Sequence, residues 1–521
     1  MSDNAYILVL DAGSGSGRAV IFDTDGKEVS LAQKEWLPKV LPQYPGSQVF
    51  DTEEAWQTLC ACVREVLGKS SIRSDQIIGV SATSMREGMV LYDRDQNEIW
   101  ACPNVDARAT EEVVEMLAMG IAEDLYRIGG DWLNIISPPR FRWIKKHQPD
   151  VFGRVEKMSL ISDWILFKLS RRIVTDPTCG SSSGLFDLKA RTWSESAVRM
   201  CGLPKGIYPP VVEPGTVIGQ ITKQAAAACG LRTGTPVIAG GADTQLALLG
   251  IGNIKSGDWA LVGGTFWQTT VIWDRPLIDP QFRPRTLCHV QPDRWMTEGI
   301  AFLIGQQTRW FRDGFCQEEI NSASQQGVDP YCLMEKLAAD VPTGSNGVLG
   351  LFSAIHNSKC WKHAAPSFLN FDIYHPQRSG KAECIRSLWE SAAYAAYGNL
   401  EILEELTGTR PKQLTFCGGA AKGFLWPQIV ADVIGVEVSV PVVKEATSLG
   451  CAMCVAMGTG LFKDFTTAIE RWVRIEKEFQ PRESVHWEYA KHYSRWQKVY
   501  SEVMKIVNLD LLTPMWRAPG T

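Results

Sequence analysis

The sequence predicts an α/β fold with mixed sheets, organised as two halves on one plan. Three observations carry this expectation. The chain opens as strand, turn, strand; a helical period then sets in; and the strand–turn–strand opening recurs in the second half.

Taken in order, residues 6–10 are apolar and read as a strand that stops at Asp11. Residues 11–17 form a glycine- and serine-rich turn, 18–22 a second strand, and 27–33 the third strand of an antiparallel meander. From Asp51 the spacing becomes helical: Asp51 can cap, Glu54 follows it, and Trp56, Leu59, Val63, Val66 and Leu67 share one face. Residues 77–82 read as a buried strand. Another strand, 236–239, runs into Gly240, Gly241, Ala242 and Asp243, with Asp243 as the expected N-cap of a helix over 244–249.

A cluster of Gly, Asn, Lys and Ser at 250–257 marks the join. Residues 258–262, the turn Gly263, Gly264, Thr265, and residues 267–273 then repeat the opening hairpin. A long helix over 382–405 follows. A strand over 413–417 leads into Gly418, Gly419, Ala420, Ala421, Lys422 and Gly423, then a helix over 425–434. The expected division is residues 1–252, 253–462 and a carboxy-terminal helical extension, 463–521, whose Trp472, Trp487, Trp496 and Trp516 read as packing anchors.

Composition narrows the function. A net charge of −5, with 21% charged residues in mixed signs, offers no basic track for nucleic acid. The amino terminus lacks a basic n-region, and no stretch approaches the ~20 apolar residues of a membrane span, so a cytoplasmic protein is expected. The 14 Cys are scattered, which reads as reduced thiols. Cys451 and Cys454 have CxxC spacing but lie in an apolar helical stretch, 449–457, and no second ligand pair accompanies them. No structural metal is expected.

Three glycine-rich turns follow strands, and such turns let consecutive N–H groups converge on an anion. None fits a P-loop or a dinucleotide fingerprint. The first is the richest: Asp11 precedes it, Ser14 and Ser16 lie within it, and Arg18 follows, a set suited to a magnesium ion shared with a polyphosphate, although Asp11 also reads as a strand-end cap. Asp243, among small and apolar neighbours, is poorly solvated and a candidate proton acceptor. Arg86 and Glu87, just beyond a strand, read either as substrate ligands or as a surface ion pair.

Together, residues 11–18, Arg86 with Glu87, 240–243, 263–265, 418–420 and EATSLGCA at 445–452 resemble the FGGY carbohydrate kinases, which include glycerol and pentulose kinases. The resemblance implies two actin-like (ribonuclease-H-like) domains with a cleft between them, and an ATP-dependent kinase acting on the terminal hydroxyl of a small polyol-like molecule. It implies that Asp11 organises Mg²⁺, directly or through water, and that Ser14, Gly15, Ser16 and Arg18 surround the transferring phosphate. Gly264 and Thr265 would hold the polyphosphate, and Gly418, Gly419, Ala420 and Lys422 would flank adenosine. Arg86, Glu87, Thr244, Gln245 and Phe266 would bind the acceptor, with Asp243 as general base.

A closer resemblance within the family, carried by SMREG (84–88), ACPNVDAR (101–108), TDPTCGSSSGLFDL (175–188) and PVVKEATSLGC (441–451), implies a linear dihydroxypentanedione as the acceptor. Phe266 and Trp267 fit a less hydroxylated ligand. The third turn departs from the family pattern by lacking a small polar residue, and the segment after Asp243 reads TQLA. A pentulose or glycerol-type kinase and a catalytically silent nucleotide sensor are the alternatives. Control by a sugar-phosphotransferase protein is a further implication, and the oligomeric state is left open.

Overall fold

In the computed structural model, which describes residues 5–37, 39–443 and 445–521, the expected meander opens a six-stranded sheet. Strands β1 (Tyr6–Ala12), β2 (Ser16–Asp23) and β3 (Glu28–Glu35) run antiparallel, and β4 (Ile77–Ser84) pairs in parallel with β1. At the far edge β5 (Val217–Gln220) is antiparallel to β6 (Pro236–Ala242), which pairs in parallel with β4. The apolar run in β1 reflects cover on both faces. Leu8 and Leu10 pack into one core with the helix Thr52–Ser70, whereas Ile7 and Val9 face the helix Ala446–Gly458. As expected, Asp51 caps the former helix, accepting from the Glu54 N–H at 3.0 Å.

The second sheet has seven strands. They are β7 (Trp259–Gly263), β8 (Trp267–Trp273), β9 (Arg285–Cys288), β10 (Trp295–Ala301), β11 (Gln413–Cys417), β12 (Glu437–Pro441) and β13 (Ile475–Phe479). Their order is β9-β10-β8-β7-β11-β12-β13. Strands β10, β8 and β7 are antiparallel, β7, β11 and β12 are parallel, and β13 closes antiparallel. Apart from the extra edge strand β9, this repeats β3-β2-β1-β4-β6-β5 step for step. The recurrence read from one hairpin therefore extends through the whole sheet.

Residues 463–521 contribute a strand as well as helices, because β13 fills the place that β5 fills in the first sheet. Trp472 and Trp496 are buried anchors, and the half-buried Trp516 ring lies 4.4 Å from that of Phe302. Trp487 is a correction. It is 63% exposed, because it lies on the opposite face of the helix Glu483–Asn508 from buried Tyr489, Tyr493 and Trp496.

The halves interlock beside the join. Helix Ala446–Gly458 covers the first sheet and crosses the helix Asp243–Gly250. A Cβ on Gly250 would sit 2.0 Å from the Ala446 carbonyl oxygen, and one on Gly450 1.9 Å from that of Leu246, so glycine is required on both sides of the crossing. All 14 cysteines are unpaired, and Cys451 and Cys454 are fully buried in this helix. Among the described residues, no helix is long and apolar enough to cross a membrane.

Candidate active site

The parallel strands of the first sheet end together, and each delivers a polar residue there. Asp11 lies near the end of β1, opposite Arg18 on β2 and Thr83 on β4. Beyond β4 the chain turns through Met85 into Arg86 and Glu87. Beyond β6 it enters the helix Asp243–Gly250, with Ala242 opposite Ser84 in register. The carboxyl ends of parallel strands are where α/β sheets place ligands, since the loops diverge there.

Asp11, Arg86 and Glu87 are 6%, 7% and 4% exposed, so the surface ion-pair alternative for the last two does not hold. Burial pushes the Asp11 carboxyl up to about 7; Arg18 opposes this, and Asp243 and Glu445 add to it. Burial likewise raises Asp243, against the pull of Arg86 and of the Thr244 N–H, which donates to its carboxylate at 2.6 Å. Asp243 is the first residue of its helix rather than the expected N-cap, a position taken by Ala242. Gln245 is fully buried, and neither end of its amide has a hydrogen-bond partner.

Arg86 and Glu87 are paired across the halves more closely than with each other. Arg86 Nη1 lies 2.6 Å from Glu298 Oε1, and Arg285 Nη2 lies 2.7 Å from Glu87 Oε1 and 2.7 Å from Asp131 Oδ2. Direct Arg86–Glu87 separation is 3.9 Å. Glu87 takes φ 61, an unusual backbone for a non-glycine residue, and its carbonyl accepts from the Arg140 guanidinium. Sequence reasoning missed Asp131, Arg285 and Glu298. The available signal was a charged residue in each of two fully buried strands, Arg285 at the start of β9 and Glu298 within β10.

The first turn presents Ser14 and Gly15 to solvent, while Ser16 is buried at the start of β2. The Ser14 hydroxyl donates to Asn104 at 3.2 Å. Arg18 joins the halves by pairing with Glu445 at 2.9 Å, and the Thr447 hydroxyl donates to the Asp243 carbonyl at 3.3 Å. The EATSLGCA segment thus places the amino-terminal end of a long helix beside both aspartates.

In the second half, Gly264 and Thr265 are exposed at the β7–β8 turn. At the end of β11, Gly418 adopts φ 94, and a Cβ there would lie 2.5 Å from the Gly263 carbonyl oxygen, so two of the glycine turns touch through backbone. Gly419 and Lys422 are exposed, and Ala420 is half-buried. A cleft of about 360 Å³ opens beside them, lined by Gly418, Ala421, Lys422, Val440, Val442 and Lys477 among others. Phe266 is half-buried with its ring 4.6 Å from Phe302. Trp267 is a correction: strand alternation turns it into the core, fully buried 4.9 Å from Trp426, where it cannot meet a ligand.

Comparison with known proteins agrees with this layout. The chain is 43% identical over 518 residues to an autoinducer-2 kinase of Salmonella typhimurium, covering 99% of this chain and 98% of that protein. It is 42% identical over the same shares to an autoinducer-2 kinase of Photorhabdus laumondii subsp. laumondii. Among solved structures, a ligand-bound xylulose kinase from Lactobacillus acidophilus superposes with a TM-score of 0.84 at 21% identity, over 96% of this chain and 98% of that one. A glycerol kinase from Plasmodium falciparum gives 0.81 at 18% identity, over 95% and 98%. Residues 6–250 match the N-terminal domain of the FGGY family of carbohydrate kinases and residues 252–459 its C-terminal domain. The chain belongs to the FGGY family of carbohydrate kinases, enzymes that use ATP to phosphorylate a hydroxyl group.

Proposed function

We propose that this protein is an autoinducer-2 kinase, transferring the γ-phosphoryl group of ATP to the terminal primary hydroxyl of linear 4,5-dihydroxy-2,3-pentanedione. The names of full-length relatives at 43% identity support the acceptor. The observation that carries the chemistry is Asp243, a half-buried carboxylate whose pKa is raised by desolvation, in the electrostatic range of both Arg86 and Asp11. Its cytoplasmic location fits fourteen unpaired cysteines.

In this reading residues 1–252 supply most of the acceptor site and the first phosphate-binding turn, and 253–462 bind ATP and lend Phe266 to the acceptor. Arg86, Glu87 and the unpaired amide of Gln245 bind acceptor oxygens, and Thr244 steadies the Asp243 carboxylate. Phe266, in an aromatic cluster, meets the less hydroxylated part of the chain. Asp243 takes the proton of the terminal hydroxyl, whose oxygen forms the new bond to the γ-phosphorus. The bond from that phosphorus to the bridging oxygen breaks, ADP leaves, and Asp243 returns its proton to water.

Arg18 and the N–H groups at Ser14, Gly15, Ser16 and Thr265 neutralise the charge on the moving phosphoryl group, while Gly264, whose N–H donates to the Phe266 carbonyl at 3.1 Å, shapes the second turn against the polyphosphate. The adenosine lies along Gly418 to Ala420 and Lys422, in the cleft beside β11 and β12. The oxygen donor chemistry of Asp11 fits Mg²⁺, which when bound would neutralise polyphosphate charge.

The test is ADP release with a panel of the pentanedione, xylulose and glycerol. The pentanedione should give kcat/KM at least about 10-fold above the others. A higher value for xylulose or glycerol would reassign the acceptor.

A further inference from the structure

The acceptor residues Arg86 and Glu87 do not stand alone: two residues of the other half close a ring with them. Arg86 Nη1 is 2.6 Å from Glu298 Oε1, Glu298 Oε1 is 3.7 Å from Arg285 Nε, Arg285 Nη2 is 2.7 Å from Glu87 Oε1, and Glu87 Oε1 is 3.9 Å from Arg86 Nε. No member is more than 7% exposed. A buried ring of this kind ought to satisfy its own polar atoms, because each one left unpaired forfeits its hydration. Two are left unpaired. Glu298 Oε2 and Arg285 Nε make no hydrogen bond, and the Gln245 amide, beside Asp243, makes none either.

The charges are also unequal. The two guanidinium groups of Arg86 and Arg285 face four carboxyl groups, those of Glu87, Glu298, Asp131 and Asp243. A further carboxylate entering this place would meet an excess of its own charge at low solvent exposure.

We propose that Arg285 and Glu298 are specificity-determining residues of the acceptor site, and that they select an uncharged acceptor presenting a hydroxyl-bearing carbon to them. An ionised Glu298 Oε2 can only accept a hydrogen bond and Arg285 Nε can only donate one. A bare ketone oxygen satisfies the arginine alone, whereas a carbinol or the hydrate of a carbonyl offers an O–H to the glutamate and a lone pair to the arginine. For a linear dione this means that one carbonyl is read as its hydrate. A sugar acid is refused at the same place because its carboxylate faces the glutamate.

This inference rests on the assignment of Arg86 and Glu87 to the acceptor. The experiment compares wild type, Glu298→Gln and Glu298→Asp with the pentanedione, xylulose and gluconate as acceptors, measuring KM for each acceptor, KM for ATP, kcat and melting temperature. Glu298→Gln should raise KM for the preferred uncharged acceptor about 10- to 100-fold while KM for ATP moves less than about 3-fold. It should also narrow the preference for that acceptor over gluconate by about 10-fold or more. Glu298→Asp, which keeps the charge, should weaken the acceptor but retain the refusal of gluconate.

A lower melting temperature with both KM values moving together and gluconate discrimination unchanged would overturn the proposal and leave the ring as a structural tie. If Glu298→Gln does not fold, Asp131→Asn tests the same excess of charge, and an unchanged gluconate preference there would overturn it. A wild type that prefers xylulose would defeat the autoinducer-2 assignment without touching this one, because the Glu298 comparison then runs on xylulose.

Discussion

Replacing Asp11 by Asn should make the protein more stable at alkaline pH while removing its activity. Asp11 is buried near the end of β1, and its carboxyl is raised from 3.8 to about 7. The native protein therefore holds this proton across a range in which the unfolded chain has lost it. Between about pH 4 and 7 the native state binds more protons than the unfolded state, so this group's contribution to stability declines as pH rises, and above pH 7 the ionised carboxylate is a full penalty. A displacement of about three pH units at 1.36 kcal/mol per unit corresponds to about 4 kcal/mol.

Asn carries no charge at any pH and approximates the protonated acid in size. Asp11→Asn should then melt higher than wild type at pH 8 without divalent ions, by about 1–2 °C for each kcal/mol recovered, and the gap should close toward pH 4. Millimolar Mg²⁺ with an ATP analogue should raise the wild-type melting temperature more than that of the variant, because only the carboxylate offers an anionic ligand. Melting scanned from pH 4 to 8 by calorimetry or fluorescence reads all of this. A variant that melts with or below wild type at pH 8 would refute a buried, energetically costly carboxylate at this position.

Asp243→Asn should keep ATP affinity by calorimetry while turnover falls on the order of 10²–10⁴-fold; near-wild-type turnover would remove Asp243 as the base. Arg86→Ala should raise the acceptor KM far more than the ATP KM, and equal losses would remove Arg86 from the acceptor site. Gly450→Ala forces apart the helices Asp243–Gly250 and Ala446–Gly458 and should cost about 1–3 kcal/mol in denaturant unfolding; an unchanged midpoint would mean that the crossing yields freely. A non-hydrolysable ATP analogue with acceptor should shrink the radius of gyration in solution scattering, as the halves close about residues 250–257. An unchanged radius at saturation would mean a preformed site.

Local chemistry made much of this molecule legible. The Asp51 cap, the opening meander and the Gly263–Thr265 hairpin were readable because turn residues and strand periodicity are short-range signals. Asp11, Arg86 and Asp243 were readable because each sits just where an apolar strand ends. What escaped was long-range. Nothing near Glu298 in sequence says that it meets Arg86, since that contact exists only after two sheets have formed and the halves have met. The role of β13 escaped likewise, because Ile475–Phe479 carries Glu476, Lys477 and Glu478 and pairs as a partly exposed edge strand, so its apolar signal is weak. Trp267 and Trp487 show the same limit at single residues. Which face a bulky ring takes follows from the partner it packs against, and composition does not say.

The most direct measurement is product identification by phosphorus and carbon NMR after incubating the purified protein with ATP, Mg²⁺ and isotopically labelled 4,5-dihydroxy-2,3-pentanedione, alongside Asp243→Asn. Wild type should give one phosphomonoester, on the terminal carbon, with one ADP formed per product, and the variant should give little in the same time. Turnover of ATP without a phosphorylated pentanedione, or phosphate on the secondary hydroxyl, would contradict the assigned acceptor geometry.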